Sequence, residues 1–293
     1  MGGLMAGGVE PEAMGTADPP VPRSLPEEPV LNPPSLEFIG TATTLLRLGP
    51  FTLLTDPNFL HRGQRAYLGK GLFSKRLTEP SMQPADLPPV DTVVLSHLHG
   101  DHFDRVARRE LDHALPILTT PEACSRLRRW GFDEAYGMET WSTRELARDG
   151  MRLTIHAVPG QHAPKLAQAL LPPVMGSVLE LSSEDDAPFR VYLSGDTLYR
   201  PWLRQVSERC GPLDAAVLHL GGTRILGLLV TMDARQGADL VDLVAPTLTV
   251  PVHYDDYSVF RSPLSDFEAE WARRNLPGRL QPVRRGETVP LAW

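Results

Sequence analysis

Two cysteines, Cys124 and Cys210, are all that 293 residues contain. They cannot build a disulfide framework, and they suit a reducing compartment in which both are expected to be buried structural thiols. Long apolar runs are missing as well. No window approaches 18 uninterrupted apolar residues, so no transmembrane segment is expected. Residues 1–8 have neither a basic n-region nor a sustained apolar h-region, and Ala6 stands where a myristoylation signal wants Ser or Thr; a cytoplasmic protein is the expectation. Cations are in deficit, with 29 Lys and Arg against 36 Asp and Glu, for a net charge of −7. That balance favours solubility and disfavours a nucleic-acid partner, which needs clustered Lys and Arg. No repeat is visible at solenoid periods.

What is present is the mix of a globular protein, 42% hydrophobic and 22% charged, with length enough for one large α/β domain. Residues 1–34 are crowded with Pro and Gly and carry almost no apolar periodicity, so they are expected to be a flexible tail, followed by a single folded domain over 35–293. From Leu36 onward strand-like runs are expected at 36–39, 44–48, 51–55, 92–96, 117–119, 153–158, 177–181, 191–194, 215–218 and 248–252. Helix-like segments are expected at 103–111, 121–130, 201–208, 233–244 and 265–274. The alternation predicts an α/β fold.

Several strand runs end in Asp or His, as happens when a sheet presents a site at one edge. The densest case is His97-Leu98-His99-Gly100-Asp101-His102, directly after the buried-strand run at 92–96. Imidazole and carboxylate suit borderline first-row cations; the alternation at 97 and 99 lets two rings approach one ion, and Asp101 and His102 point at a second. Five further candidates follow strands. His162, after Val158-Pro159-Gly160, is able to complete the first ion's histidine set. Asp196 closes Ser194-Gly195-Asp196 and is able to bridge both ions, although a helix N-cap would look the same. His253 ends Pro251-Val252-His253 and would complete the second shell. Asp56 follows 51–55 and is positioned to hydrogen-bond a ligating histidine, fixing its tautomer. His219 ends another strand and would touch substrate, donate a proton or hold its loop. His61, His113 and His156 are expected outside the site.

Together these residues resemble the metallo-β-lactamase superfamily, whose H-x-H-x-D-H signature is matched at His97 to His102. The order of Asp56-Pro57, Gly195-Asp196-Thr197, Gly221-Gly222 with Met232-Asp233, and His253-Tyr254 is most similar to the branch of bacterial ascorbate-phosphate lactonases and of N-acyl-phosphatidylethanolamine phospholipase D. The resemblance implies a four-layer αββα sandwich. It also implies one metal on His97, His99 and His162, a second on Asp101, His102 and His253, and Asp196 bridging them.

Two divalent ions, Zn²⁺ before Mn²⁺ or Fe²⁺, would bring a bridging water to hydroxide near neutral pH, with Asp101 orienting it and His219 or Asp255 serving the leaving group. The expected substrate is a phosphodiester or other anionic amphiphilic ester, small-molecule or lipid-like. A sugar-phosphate or acyl lactone is the alternative, and a non-catalytic metal-dependent binding protein is the alternative of another class. Two segments carry specificity in this reading. One is the acid-free run 61–76, with Arg62, Arg65, Lys70, Lys75 and Arg76, as a lid meeting a phosphate or else a solvated loop; the other is the apolar run 166–175 after His162. Self-association is left open.

Overall fold

Most of the apolar runs are strands buried on both faces, which is why they read as nearly continuous rather than alternating. In the computed structural model, which describes residues 1–3, 33–164, 168, 171–184, 186–225 and 227–292, residues 32–293 form one compact unit. The tail expected over 1–34 lies outside the described residues from 4 to 32.

The first sheet begins as an antiparallel meander of β1 (Ser35–Gly40), β2 (Thr43–Leu48) and β3 (Phe51–Thr55). A hairpin of β4 (Arg65–Tyr67) and β5 (Phe73–Lys75) then leaves the sheet. The chain returns as β6 (Thr92–Val94), β7 (Ile117–Thr119) and β8 (Ala135–Gly137), parallel to β3, with α1 (Arg105–Glu110) and α2 (Pro121–Arg129) between them. The second sheet repeats the plan. Antiparallel β9 (Thr143–Arg148), β10 (Met151–Pro159), β11 (Met175–Ser182) and β12 (Phe189–Leu193) come first, and α3 (Gln205–Cys210) leads into parallel β13 (Ala215–His219). A short hairpin of β14 (Arg224–Ile225) and β15 (Leu228–Leu229) and helix α4 (Ala234–Val244) precede β16 (Leu248–Val252). Helix α5 (Leu264–Arg274) and β17 (Arg279–Leu280) follow, and β18 (Thr288–Pro290) crosses back to pair with β1.

Three apolar interiors result, and strand alternation sorts residues among them. Leu46, Leu53, Leu153, Ile155, Val191 and Val217 meet between the sheets. Their neighbours Leu45 and Leu54 face outward to pack on Val106 and Leu127 of α1 and α2. Tyr192 and Leu218 likewise face Val206, Leu240 and Phe267 of α3, α4 and α5. This is the αββα sandwich. Helix α1 starts later than expected because Asp104 takes the N-cap, accepting from the Val106 and Ala107 N–H groups. The segment expected as a helix over 201–208 is split into a 3₁₀ turn, Pro201–Arg204, and α3.

One expectation about the 61–76 run is overturned. Arg76 is fully buried rather than part of a surface lid, because β5 alternates and turns it inward with Ser74. Its guanidinium donates to Asn58 O at 3.1 Å and to Asn58 Oδ1, and lies 3.6 Å from Asp256 Oδ1, which is equally buried. Asp256 also accepts from the Thr41 N–H at 2.8 Å, from Arg285 Nε at 2.9 Å and from the Thr78 hydroxyl. Burial alone would raise the Asp256 carboxyl; Arg285, Arg76 and Thr78 outweigh it and hold it below its usual range.

Asp256→Ala strands the Arg76 charge and should lower stability by about 3–5 kcal/mol in equilibrium urea unfolding. A loss below about 1 kcal/mol would mean that the pair behaves as an exposed one. Because the folded pKa is depressed, the contribution of Asp256 is present above its unfolded value of about 3.9 and disappears as pH falls through the lowered folded value.

Candidate metal centre

The predicted ligands reach one edge of the sandwich from the ends of separate strands. Asp56 follows β3, His97 to His102 follow β6, His162 follows β10, Asp196 follows β12 and His253 follows β16. All are buried. The signature loop is pinned by its glycine: the Gly100 N–H donates to Tyr67 O at 2.8 Å, and a Cβ there would lie 2.7 Å from the Tyr67 backbone nitrogen. Gly195, at φ +57, permits a similar approach, since a Cβ would sit 3.0 Å from Met175 O. Asp56 and His253 adopt φ of 36° and 63°, left-handed values that non-glycine residues hold only when their surroundings impose them.

In the first group His97 Nε2 lies 3.0 Å and His162 Nε2 3.1 Å from the same atom, His99 Nδ1. Burial, reinforced by neighbouring imidazoles, pushes His97 well below its ordinary pKa and His99 to about 3; burial also lowers His162. The three rings therefore stay neutral near pH 7 and direct lone pairs at a shared point, as a bound cation requires.

The second group is charged. His253 Nε2 lies 3.5 Å from Asp101 Oδ2, and His102 Nε2 lies 3.4 Å from Asp196 Oδ2. Burial opposes charge on His102, yet Asp196 and Asp56 raise it well above the usual value; Asp196 and Asp101 raise His253 in the same way. Donor atoms of His97, His99 and His162, of His97, His102 and Asp196, and of Asp101, His102 and His253 each lie within 4.8 Å of one another. Asp101 Oδ1, Asp196 Oδ1, His102 Nε2 and His253 Nε2 are buried and hydrogen-bond to nothing among the described residues. Orphaned buried donors and acceptors are costly in a finished core, and this set fits a cation.

Three of the rings are anchored on the side away from the cluster. His162 Nδ1 donates to Val230 O at 2.7 Å and His253 Nδ1 to Leu220 O at 3.1 Å. His102 Nδ1 lies 3.0 Å from Asp56 Oδ2, so Asp56 stands where the tautomer-fixing residue was expected. Asp196 is no helix cap; its Oδ2 accepts from the Thr231 hydroxyl at 2.8 Å.

Of the two residues expected to serve the leaving group, His219 borders the cluster, in a ligand-sized group with Asp56 and His102, and Asp255 does not. His219 is enclosed between Asp56 Oδ2, 3.3 Å from its Nε2, and Ser194 Oγ, 3.3 Å from its Nδ1, because strand alternation in β13 turns it into the sandwich with Ala215 and Val217. Asp255 is exposed and ion-paired with Arg285. His61 pairs with Glu79 at the surface, and His113 bonds the Arg108 carbonyl at the end of α1. Four supporting residues were missed by sequence reasoning: Ser96, Asn58, Thr231 and Asp104. Only Asp104 had a signal, an acid immediately before a helix.

Two clefts flank His99. One, of about 340 Å³, is polar, with Lys70, Thr120, Glu122 and Arg126 among its walls and Leu171 and Pro172 at its side. The other, of about 410 Å³, is lined by Leu60, Phe73, Phe103 and Trp130 together with Arg105 and Arg108. Tyr67, Leu98 and Arg126 border both. In the 166–175 run, residues 166, 167, 169 and 170 lie outside the described residues.

A family model described as a beta-lactamase superfamily domain matches residues 52–254. A metal-dependent hydrolase of Deinococcus radiodurans is 27% identical over 260 residues, 87% of this chain and 99% of the relative. An N-acyl-phosphatidylethanolamine-hydrolyzing phospholipase D of Caenorhabditis elegans is 24% identical over 233 residues, covering 75% of this chain and 63% of that enzyme. The chain spans about 60% of the length of the mycobacterial relatives that it matches. Among solved structures, a possible metal-dependent hydrolase of Veillonella parvula aligns with TM-score 0.74 and 21% identity, over 88% of this chain and all of the other. The chain therefore belongs to the beta-lactamase superfamily, in its metallo-β-lactamase fold.

Proposed function

We propose that this chain is a metal-dependent hydrolase that holds two divalent cations, Zn²⁺ foremost, and cleaves a phosphodiester or another ester of an anionic amphiphile. The observation that carries the proposal is the convergence of His97 Nε2, His99 Nδ1 and His162 Nε2 at 3.0–3.1 Å beside the carboxylates of Asp101 and Asp196. His97, His99 and His162 would hold one cation; Asp101, His102 and His253 would hold the other, with Asp196 between them. Such a pair supplies Lewis acidity and makes water a competent nucleophile at neutral pH.

The chain's own groups do the rest. Asp101 Oδ1, buried and without a hydrogen bond, is available to accept a proton from attacking water. Arg126 and Lys70 offer cationic donors to an anionic substrate beside His99, and the aromatic walls of Tyr67, Phe73 and Trp130 offer apolar contact to its other part. A substrate with both characters fits better than a plain sugar phosphate, and the relative named as a phospholipase D supports the same choice.

Metal analysis of the purified protein, followed by assay on bis(p-nitrophenyl) phosphate, long-chain phosphodiesters and an acyl-lactone panel, tests the proposal. Close to two equivalents and turnover of the phosphodiesters are expected. Lactone turnover alone would move the assignment to a lactonase, and metal binding without turnover would move it to a binding protein.

Arg126→Ala should raise KM about tenfold for anionic esters, the loss of one charge-assisted hydrogen bond, with kcat and metal content unchanged and neutral esters unaffected. A further outcome concerns protons. With His102 and His253 raised, the metal-free centre carries protons at pH 7 that a cation must displace. Titrating the metal-free protein with Zn²⁺ in weak buffer should release about one proton or more per chain, and apparent affinity should fall as pH is lowered. Uptake with no proton release would contradict the proposed ligand set.

A further inference from the structure

Four of the six large hydrophobic residues that are exposed among the described residues, Tyr67, Leu72, Phe73 and Leu77, lie within eleven positions of one another. They gather on the β4–β5 hairpin. Its strands alternate, so Ala66 and Ser74 are buried while Arg65, Tyr67, Phe73 and Lys75 all turn outward. In the antiparallel register Tyr67 stands opposite Phe73, with ring centroids 5.1 Å apart, and Arg65 stands directly opposite Lys75.

The aromatic pair is a favourable cross-strand contact; two cations directly opposite are not. No carboxylate pairs with Arg65 or Lys75 among the described ion pairs, although the chain carries an excess of acids. Arg105 donates to the Arg65 carbonyl at 3.2 Å, and Arg108, stacked 4.4 Å from the Trp130 ring, lines the same apolar cleft as Arg65 and Phe73. Cations and aromatic rings side by side on an exposed face, with no carboxylate paired to Arg65 or Lys75 among the described residues, make the pattern that an anionic lipid surface complements: the rings enter the headgroup level and the cations meet phosphates.

We propose that the outward face of the β4–β5 hairpin, with Leu72 and Leu77 beside it, docks the protein on an anionic phospholipid bilayer. Docking would bring the mouth of the apolar cleft beside His99 to the membrane. No helix among the described residues is long and apolar enough to cross a bilayer, so the contact would be peripheral. The purpose of docking rests on the amphiphilic-substrate proposal, but the docking is measurable without turnover.

The test uses the full chain, metal-loaded, co-sedimented with vesicles of phosphatidylcholine alone or with about one third phosphatidylglycerol. The protein should pellet with the anionic vesicles only and be released near 1 M salt, where the Debye length is about 3 Å. Lys75→Glu should weaken partitioning at least about fivefold, since one surface cation contributes roughly that factor. The same substitution gives Arg65 an opposite charge across the hairpin, so its Tm should not fall, which separates docking from folding. Leu77→Ser should also weaken partitioning. Lys75 and Leu77 line neither cleft, so turnover of soluble bis(p-nitrophenyl) phosphate should stay at the parent level in both variants. Equal partitioning to neutral vesicles, no partitioning, or indifference to both substitutions overturns the proposal. So does a concentration-dependent dimer that Leu77→Ser dissolves, which would assign the face to a second copy of the chain. Failure of the hydrolase proposal looks different: no turnover by the parent, with vesicle binding intact.

Discussion

The buried carboxylate of Asp56 is the contact on which the centre depends. It accepts from the Ser96 N–H at 2.7 Å and from the Ser96 hydroxyl at 3.0 Å, and faces His102 Nδ1 at 3.0 Å and His219 Nε2 at 3.3 Å. Burial alone would drive its pKa up; the charge and hydrogen bonds of His102, with those of His219, prevail and hold it at about 2. Asp56 thereby remains charged and does two things at once. Through Ser96 it fixes where the chain leaves β6 and enters the signature, and through His102 it sets the tautomer that leaves Nε2 for the cluster. Its left-handed backbone is the strain accepted for that position.

Around Asp56 the two halves of the centre differ in kind. The trio of His97, His99 and His162 is neutral and contributes no net charge, whereas the other half contains Asp101 and Asp196 beside two imidazoles raised by them. A cation on the trio would gain dipoles and lone pairs; a cation on the other half would gain carboxylates but would have to expel protons. Asp196, within reach of His102 and His253 and in a ligand-sized group with His97, links the halves, so a cation held by one would alter the field felt by the other.

Much of this was legible in the sequence because strand ends announce themselves. Buried runs stopping at Asp or His located Asp56, His97, Asp196 and His253 at one edge of the sandwich, and the bounds of β3, β7 and β16 agree with those expected. Other features left no trace. Ser96 and Thr231 are single hydroxyls whose value lies in a partner distant in the chain. Strand β9 was missed because it is polar and exposed at a sheet edge, and β4 and β5 because three-residue strands carry too little alternation to register. At His219 the sequence left three roles open, for a physical reason. A histidine ending a strand looks the same in sequence whether the pleat turns it toward a cleft or into the sandwich, and in β13 the partners Ala215 and Val217 turn it inward. Arg76 was misread, since a basic run does not reveal which of its members has a buried counter-charge.

The correction at Arg76 changes how recognition and chemistry are related. Had 61–76 been a solvated lid, substrate contacts would move independently of the centre. Instead the hairpin is joined to the signature loop twice. The Gly100 N–H donates to Tyr67 O, and Asn58 Nδ2 donates to Gly100 O at 2.7 Å while Asn58 Oδ1 accepts from the Tyr257 hydroxyl at 3.0 Å and from Arg76. Both backbone polar groups of Gly100 are thus held by elements that also shape the clefts, one through Tyr67 itself and one through the arginine at the base of β5. A buried charge pair is weak as a source of net stability but costly to break, so its value here is positional. The Arg76–Asp256 pair keeps the hairpin, Asn58 and the loop after His253 in one arrangement, and a displacement of β4 and β5 would reach the backbone between His99 and Asp101.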